Sequence, residues 1–257
     1  MKPVVEGNFQ RGIDRECEFD GDCFVAGTLV HTDKGLVPID KLKIGDMVLS
    51  RPENNPDAPN EYKRVLSTFK SAEKKRITYF SYDVIEEGAG TGNRYLFCTE
   101  DHPFWTMVYK WDEEDVHALG WQPAQALAML ESQVIKTHDN KMSIITSEQG
   151  WENVIYEEDS SKIVFLYGHG DDFEGMYDFR SGQPVCIGGI TYRCLHATEA
   201  KSAYDMEMLP EMLELVERRK SNIYYDYVYN IEVGEFHTYF VGEAGIWVHN
   251  TASKRSP

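Results

Sequence analysis

Cys23-Phe24-Val25-Ala26-Gly27-Thr28-Leu29-Val30-His31-Thr32 and, more than two hundred residues later, Gly245-Ile246-Trp247-Val248-His249-Asn250-Thr251 bracket the informative part of this chain. Within them, residues 28–32 and 246–248 read as strands. They are short, rich in Val, Ile, Thr and aromatic residues, and bounded by glycine. Between them the same texture recurs at residues 47–50, 62–70, 76–85, 94–98 and 104–109, then at 223–233 and 238–241. Residues 51–60 (three prolines, three asparagines) and 86–93 (three glycines) separate these runs as loops. Many short strands at regular spacing predict an all-β body.

Two stretches depart from that texture. Residues 123–130 open with Pro123 and are expected to form a short helix. Residues 203–220 place Leu209, Met212, Leu213 and Val216 at helical spacing, which predicts a longer helix with this stripe in a core. The second helix falls in an acidic region, about residues 140–222, that includes Glu157-Glu158-Asp159 and Asp171-Asp172. We read it as an α+β insertion between the two halves of a β domain. The expected organisation is a flank at 1–22, a first part at 23–139, the insertion at 140–222, a last part at 223–250 and a flank at 251–257.

Composition narrows the function. The 257 residues are 42% hydrophobic and 27% charged, as in a folded globular chain. A net charge of -17 with no basic stripe argues against a nucleic-acid partner. No apolar run approaches the ~20 residues of a membrane span. Residues 1–12 lack the apolar segment of a signal peptide, so synthesis in the cytoplasm is expected. The five cysteines, at 17, 23, 98, 186 and 194, form no Cys-x-x-Cys pair, so neither a metal site nor a cofactor is expected. Pairing of Cys17 with Cys23, or of Cys186 with Cys194, stays open, as does the oligomeric state.

The bracketing residues suit one chemistry. A thiolate at Cys23 attacks the carbonyl of the preceding residue and converts the Asp22-Cys23 amide to a thioester. An Asn side chain closes on its own carbonyl as a succinimide and expels the next residue, here across the Asn250-Thr251 bond. Proximity within one residue supplies much of the acceleration. Each cut also needs a proton carrier. Thr99 and His102, three residues apart after a strand, fit a turn that aims hydroxyl and imidazole at one carbonyl. His249 adjoins the second bond, and His237 ends a strand shortly before it. The other histidines, at 31, 117, 138, 169 and 196, are read as ordinary packed or surface residues.

Taken in order, Cys23 with Ala26-Gly27-Thr28, then Thr99 and His102, then His237, then His249-Asn250-Thr251 resemble the blocks of the Hint superfamily. That superfamily comprises inteins, bacterial intein-like domains and hedgehog autoprocessing domains. The run Thr32-Asp33-Lys34-Gly35 through Ile39, Leu42 and Gly45-Asp46-Met47-Val48-Leu49 extends the resemblance, as does Val228-Tyr229-Asn230-Ile231-Glu232-Val233. It covers about 23–138 and 223–251, and is nearest to the pretoxin Hint domains of bacterial polymorphic toxins. The resemblance implies a horseshoe of short strands. It also implies Cys23 as nucleophile, with Thr99 and His102 polarising and protonating at the first bond. Asn250 would cyclise with help from His249 and His237, and Thr251 would accept the acyl group. The substrate would be the chain's own flanking polypeptide.

A Thr hydroxyl is a weaker nucleophile than a thiol, and the Asp22 carboxylate adjoins the thioester, so cleavage is expected to outrun splicing. Only seven residues follow Asn250, which fits a trimmed fragment or a domain whose partner has been lost. Two other readings stand beside this one. One is a catalytically silent Hint scaffold or presentation domain. The other is a Cys–His hydrolase that acts in trans through Cys23 and His102.

Overall fold

A computed structural model describes residues 22–86, 89–90, 94–110, 112–113, 115–127, 133–145, 154–158, 162–167, 173–187 and 223–250. The first half of the chain contributes β1 (Phe24–Val25), β2 (Leu29–Thr32), β3 (Gly35–Pro38), β4 (Met47–Ser50), β5 (Glu61–Lys70), β6 (Lys75–Arg76), β7 (Thr78–Glu86) and β8 (Ala89–Gly90). There follow β9 (Arg94–Cys98), β10 (Pro103–Lys110), β11 (Asp115–Pro123), β12 (Gln133–Lys136) and β13 (Met142–Ile145). A separate group is β14 (Val154–Glu158), β15 (Ile163–Tyr167), β16 (Phe173–Asp178) and β17 (Gln183–Ile187). The chain returns with β18 (Tyr225–Asp226), β19 (Val228–Val233), β20 (Thr238–Val241) and β21 (Ile246–His249).

The all-β expectation holds: among the described residues the helical elements are two 3-10 turns, Ile39–Lys41 and Ala124–Ala126. The helix expected at 123–130 is therefore not one. Pro123 ends β11 in extended backbone at φ -68, ψ 153 and precedes a single tight turn. Proline suits that junction as readily as it suits a helix start. The helix expected at 203–220 lies outside the described residues.

One antiparallel sheet dominates. Its order runs β11-β10-β12-β13-β7-β9-β1-β19-β5-β4-β2-β20-β21, and a pairing of Phe104 with Val248 joins β10 to β21. The path therefore closes on itself, and both bracketing stretches lie inside it. The closing strands are buried on both faces, which explains their unbroken apolar character: every residue of Thr238-Tyr239-Phe240-Val241 is buried. By contrast, β5 lets more of its residues reach solvent. A core of Phe24, Val30, Val48, Phe80, Phe104, Ile231, Tyr239 and Val248 fills the interior. Each such side chain contributes about 1.5–3 kcal/mol by leaving water. Gly245, at φ +71, turns the chain into β21, and a Cβ there would collide with the His138 ring.

Within the stretch expected as an insertion, β13 pairs with β7 and β12 of the main sheet. The strands β14-β15-β16-β17 form their own four-stranded antiparallel sheet. Val164 and Leu166 of β15 share an apolar cluster with Cys23, Val25, Tyr79, Phe97 and Tyr224. Lys162 fastens this contact through Asp226, whose carboxylate also accepts from the Tyr224 hydroxyl at 2.6 Å.

Candidate functional site

The strand β1 is only two residues long, yet it lies between β9 and β19: Phe24 is opposite both Cys98 and Tyr229. This placement delivers the bond before Cys23 to the turn that follows β9. The Cys23 N–H donates to Thr99 Oγ1 at 2.9 Å, and the Thr99 N–H donates to the Cys23 carbonyl at 2.9 Å. From the opposite side Asn230 Nδ2 donates to the Asp22 carbonyl at 2.7 Å. Both polar atoms of the Asp22-Cys23 peptide bond are thus held by side chains. Thr99 engages the nitrogen, and Asn230 polarises the oxygen.

The orientation of Asn230 follows from its other partners. Its Oδ1 accepts from the Tyr239 hydroxyl at 2.8 Å and from the Ile231 N–H at 2.7 Å, so the amide nitrogen must face Asp22. Asn230 is the residue that sequence reasoning missed. Its signal was present as a lone amide within the apolar strand Val228-Tyr229-Asn230-Ile231, at a position where the pleat turns inward. A buried amide there needs partners, and one of them is the Asp22 carbonyl.

His102 closes the turn Thr99-Glu100-Asp101-His102. Two main-chain bonds from the Ala124–Ala126 turn fix it: Ala124 N to His102 O and Gln125 N to Glu100 O, each 2.9 Å. The imidazole is fully buried against Phe24 (centroids 4.1 Å apart) and Phe104 (5.3 Å). Burial pushes its pKa down to about 3; the Asp22 carbonyl opposes this shift and nearby His249 adds to it. The carbonyl is close enough to favour a protonated ring, but neither ring nitrogen meets a partner in hydrogen-bond geometry. The Cys23 thiol is raised well above its ordinary range, first by burial and then by the Asp22 carboxylate, with Lys75 partly offsetting both. Thiol and imidazole are therefore both neutral at rest, unlike the ion pair of an activated cysteine.

The second bond lies across the β20–β21 hairpin, where Thr238 is opposite His249. The Asn250 N–H donates to the His237 carbonyl at 2.9 Å. Assigned so that each side-chain atom meets a complementary group, Asn250 Oδ1 accepts from Val233 N at 2.8 Å and Nδ2 donates to the His237 carbonyl. This fixes the side-chain amide of a residue only 2% exposed. His237 takes a left-handed φ of 55°, which turns its carbonyl toward Asn250, and its Nδ1 is buried without a partner. His249 Nε2 lies 2.6 Å from Glu53 Oε2, and its ring meets Trp121 edge to face at 5.2 Å. Thr251 lies outside the described residues.

The loop that carries Glu53 begins with Arg51, which is 1% exposed. Its guanidinium lies 5.5 Å from the Phe240 ring and 5.4 Å from that of Trp247. Its nitrogens donate to Asn60 Oδ1, the Pro56 carbonyl and Asn140 Oδ1. Cys98 is a free, buried thiol. Cys17 and Cys194 lie outside the described residues, as does the side chain of Cys186. Among the described residues no group of three or more His, Cys, Asp or Glu gathers as a metal cage.

No family model matches this chain, and no curated protein does. Among solved structures it is similar to a bacterial intein-like domain from Clostridium thermocellum at 19% identity and a TM-score of 0.44, over 89% of this chain and 98% of that one. It is also similar to the gp41-1 intein at 15% identity and a TM-score of 0.40, over 90% and 100% of the two chains. A DnaB intein from Synechocystis sp. PCC 6803 is similar at 10% identity and a TM-score of 0.40, again over 90% and 100%.

Proposed function

We propose that this chain is an autoprocessing domain that cuts its own backbone at Asp22-Cys23 and at Asn250-Thr251. In the first step Cys23 Sγ bonds to the Asp22 carbonyl carbon, the C–N bond breaks, and the thiol proton passes to the freed Cys23 amine. In the second, Asn250 Nδ2 bonds to its own carbonyl carbon, the bond to Thr251 breaks, and a proton passes to the Thr251 amine. The observation that carries this reading is the double hold on one peptide bond, Thr99 Oγ1 at its nitrogen and Asn230 Nδ2 at its oxygen. A donor at the oxygen stabilises the charge that develops as sulfur attacks. With the Asp22 carboxylate beside the thioester, hydrolysis is expected to exceed ligation to Thr251. The pretoxin subtype rests on the sequence blocks, and the substrate is the chain's own flanks.

Intact-mass analysis of the purified protein, with and without an added small thiol, tests this. Thiol-stimulated loss of residues 1–22, abolished by Cys23→Ala, and loss of residues 251–257, abolished by Asn250→Ala, are expected. A dominant product joining 1–22 to 251–257 would overturn the preference for cleavage. A mass unchanged by thiol would instead support the silent scaffold, which the burial of a neutral Cys23 favours.

A further inference from the structure

The loop between β4 and β5 carries a carboxylate that no part of the scheme above uses. We infer that Glu53 is the positioning residue for His249, fixing which imidazole nitrogen works at the Asn250-Thr251 bond. This rests on the proposed autoprocessing reading.

Glu53 is held as part of a fixed support. Its main-chain carbonyl accepts from Trp121 Nε1 at 3.3 Å, and its Oε1 accepts from Asn54 Nδ2 at 3.3 Å. On either side, buried Arg51 pins the loop to Phe240 and Trp247, and Asn60 Nδ2 donates to the His138 carbonyl at 2.7 Å. The remaining carboxylate oxygen meets His249 Nε2 at 2.6 Å. Trp121, which holds the Glu53 backbone, also packs against the His249 ring. Carboxylate and imidazole are thus set by the same indole.

The chemical consequence follows from valence. An ionised carboxylate only accepts, so the proton of the neutral ring resides on Nε2 and the lone pair on Nδ1. With Nε2 engaged by Glu53, Nδ1, the ring nitrogen nearer the backbone, is the one left to serve the neighbouring peptide. In that tautomer Nδ1 takes the proton that Asn250 Nδ2 loses as it bonds to the Asn250 carbonyl carbon. It then returns the proton to the Thr251 nitrogen as that C–N bond breaks. Glu53 supplies the countercharge while the ring holds two protons.

The test uses the whole chain in a Cys23→Ala background, where only the second cut remains. Glu53→Ala is expected to slow release of residues 251–257 by about 10–100-fold, the range seen when a carboxylate partner of a working histidine is removed. Glu53→Gln, whose amide oxygen still accepts from Nε2, is expected to recover part of that loss. Nitrogen NMR of histidine-labelled protein, carrying Asn250→Ala so that it stays intact, should report the Nε2–H form of His249. With Glu53→Ala added, the tautomers should mix. An unchanged tautomer together with an unchanged release rate overturns the assignment. So does an equal fall in thiol-induced loss of residues 1–22 in the Cys23 protein, which would mark general damage to the fold. If no release occurs even with Glu53 present, the autoprocessing reading fails instead, and the tautomer measurement still decides whether Glu53 orients His249.

Discussion

The two candidate bonds adjoin two strands of one sheet, β1 and β21, and are treated in opposite ways. The Asp22-Cys23 bond is held among neutral groups: Thr99, Asn230 and a fully buried imidazole that burial keeps unprotonated. The Asn250-Thr251 bond has its nucleophile pinned by backbone, but its histidine reaches a partly exposed loop carboxylate. Positioning is complete at the first bond while activation is withheld. At the second, a pair able to carry charge stands ready. The difference teaches that geometry and reactivity are separable: a bond is held in register by hydrogen bonds long before its nucleophile is ionised.

The sharpest way to break this contrast is Asn230→Ala. Removing the Asn230 donor from the Asp22 carbonyl should slow thiol-induced loss of residues 1–22 by about 10²–10³-fold. Release at Asn250, measured in the same spectra, serves as the internal reference. A similar fall at both bonds would dissolve the distinction. The support under the second bond is tested by Arg51→Ala. The buried rings of Phe240 and Trp247 would lose the side chain packed against them, with an expected loss of about 3 kcal/mol in urea unfolding.

A smaller effect should appear with pH. The His102 pKa is lower in the folded chain than in the unfolded one, so the folded state binds that proton less readily. Stability conferred by the neutral ring is present above the unfolded value of about 6.5. It is lost as pH falls from there toward about 3, at up to about 1.4 kcal/mol per pH unit. Unfolding curves of the protein and of His102→Phe should diverge across that window, and parallel curves would mean that the ring titrates normally. Least of all, Tyr239→Phe removes the hydroxyl that orients Asn230. It should cost about 1 kcal/mol in stability and retard only the first cut.

Much of the sheet was legible because its strands announce themselves. Residues 94–98 and 47–50 match β9 and β4 at both ends, and glycines mark the turns around β21. What escaped was structure whose cause lies elsewhere in the chain. The strand β1 is two residues long and exists because β9 and β19 flank it, and no local pattern encodes that. The strands β15 to β17 fall within the expected α+β insertion but were not placed in it one by one, although Ile163-Val164-Phe165-Leu166-Tyr167 is a β-branched and aromatic run. The site divides in the same manner. Cys23, Thr99, His102, His237, His249 and Asn250 stood out as reactive residue types at suggestive spacings. Asn230 and Glu53 did not, because an amide in a strand and a carboxylate in a loop gain meaning only from the partners that folding brings to them.

The order of the sheet also sets a clock. The strands β19, β20 and β21 are made last, yet β19 enters between β1 and β5, where the first bond is gripped. Asp22 leaves the ribosome 208 residues ahead of the Asn230 that will hold its carbonyl. At bacterial and eukaryotic elongation rates that gap lasts about 10–40 s. Throughout that interval the Asp22-Cys23 bond is an ordinary peptide in an unfinished sheet. A nascent chain therefore cannot assemble the contacts around the Asp22-Cys23 bond before β19 has been made.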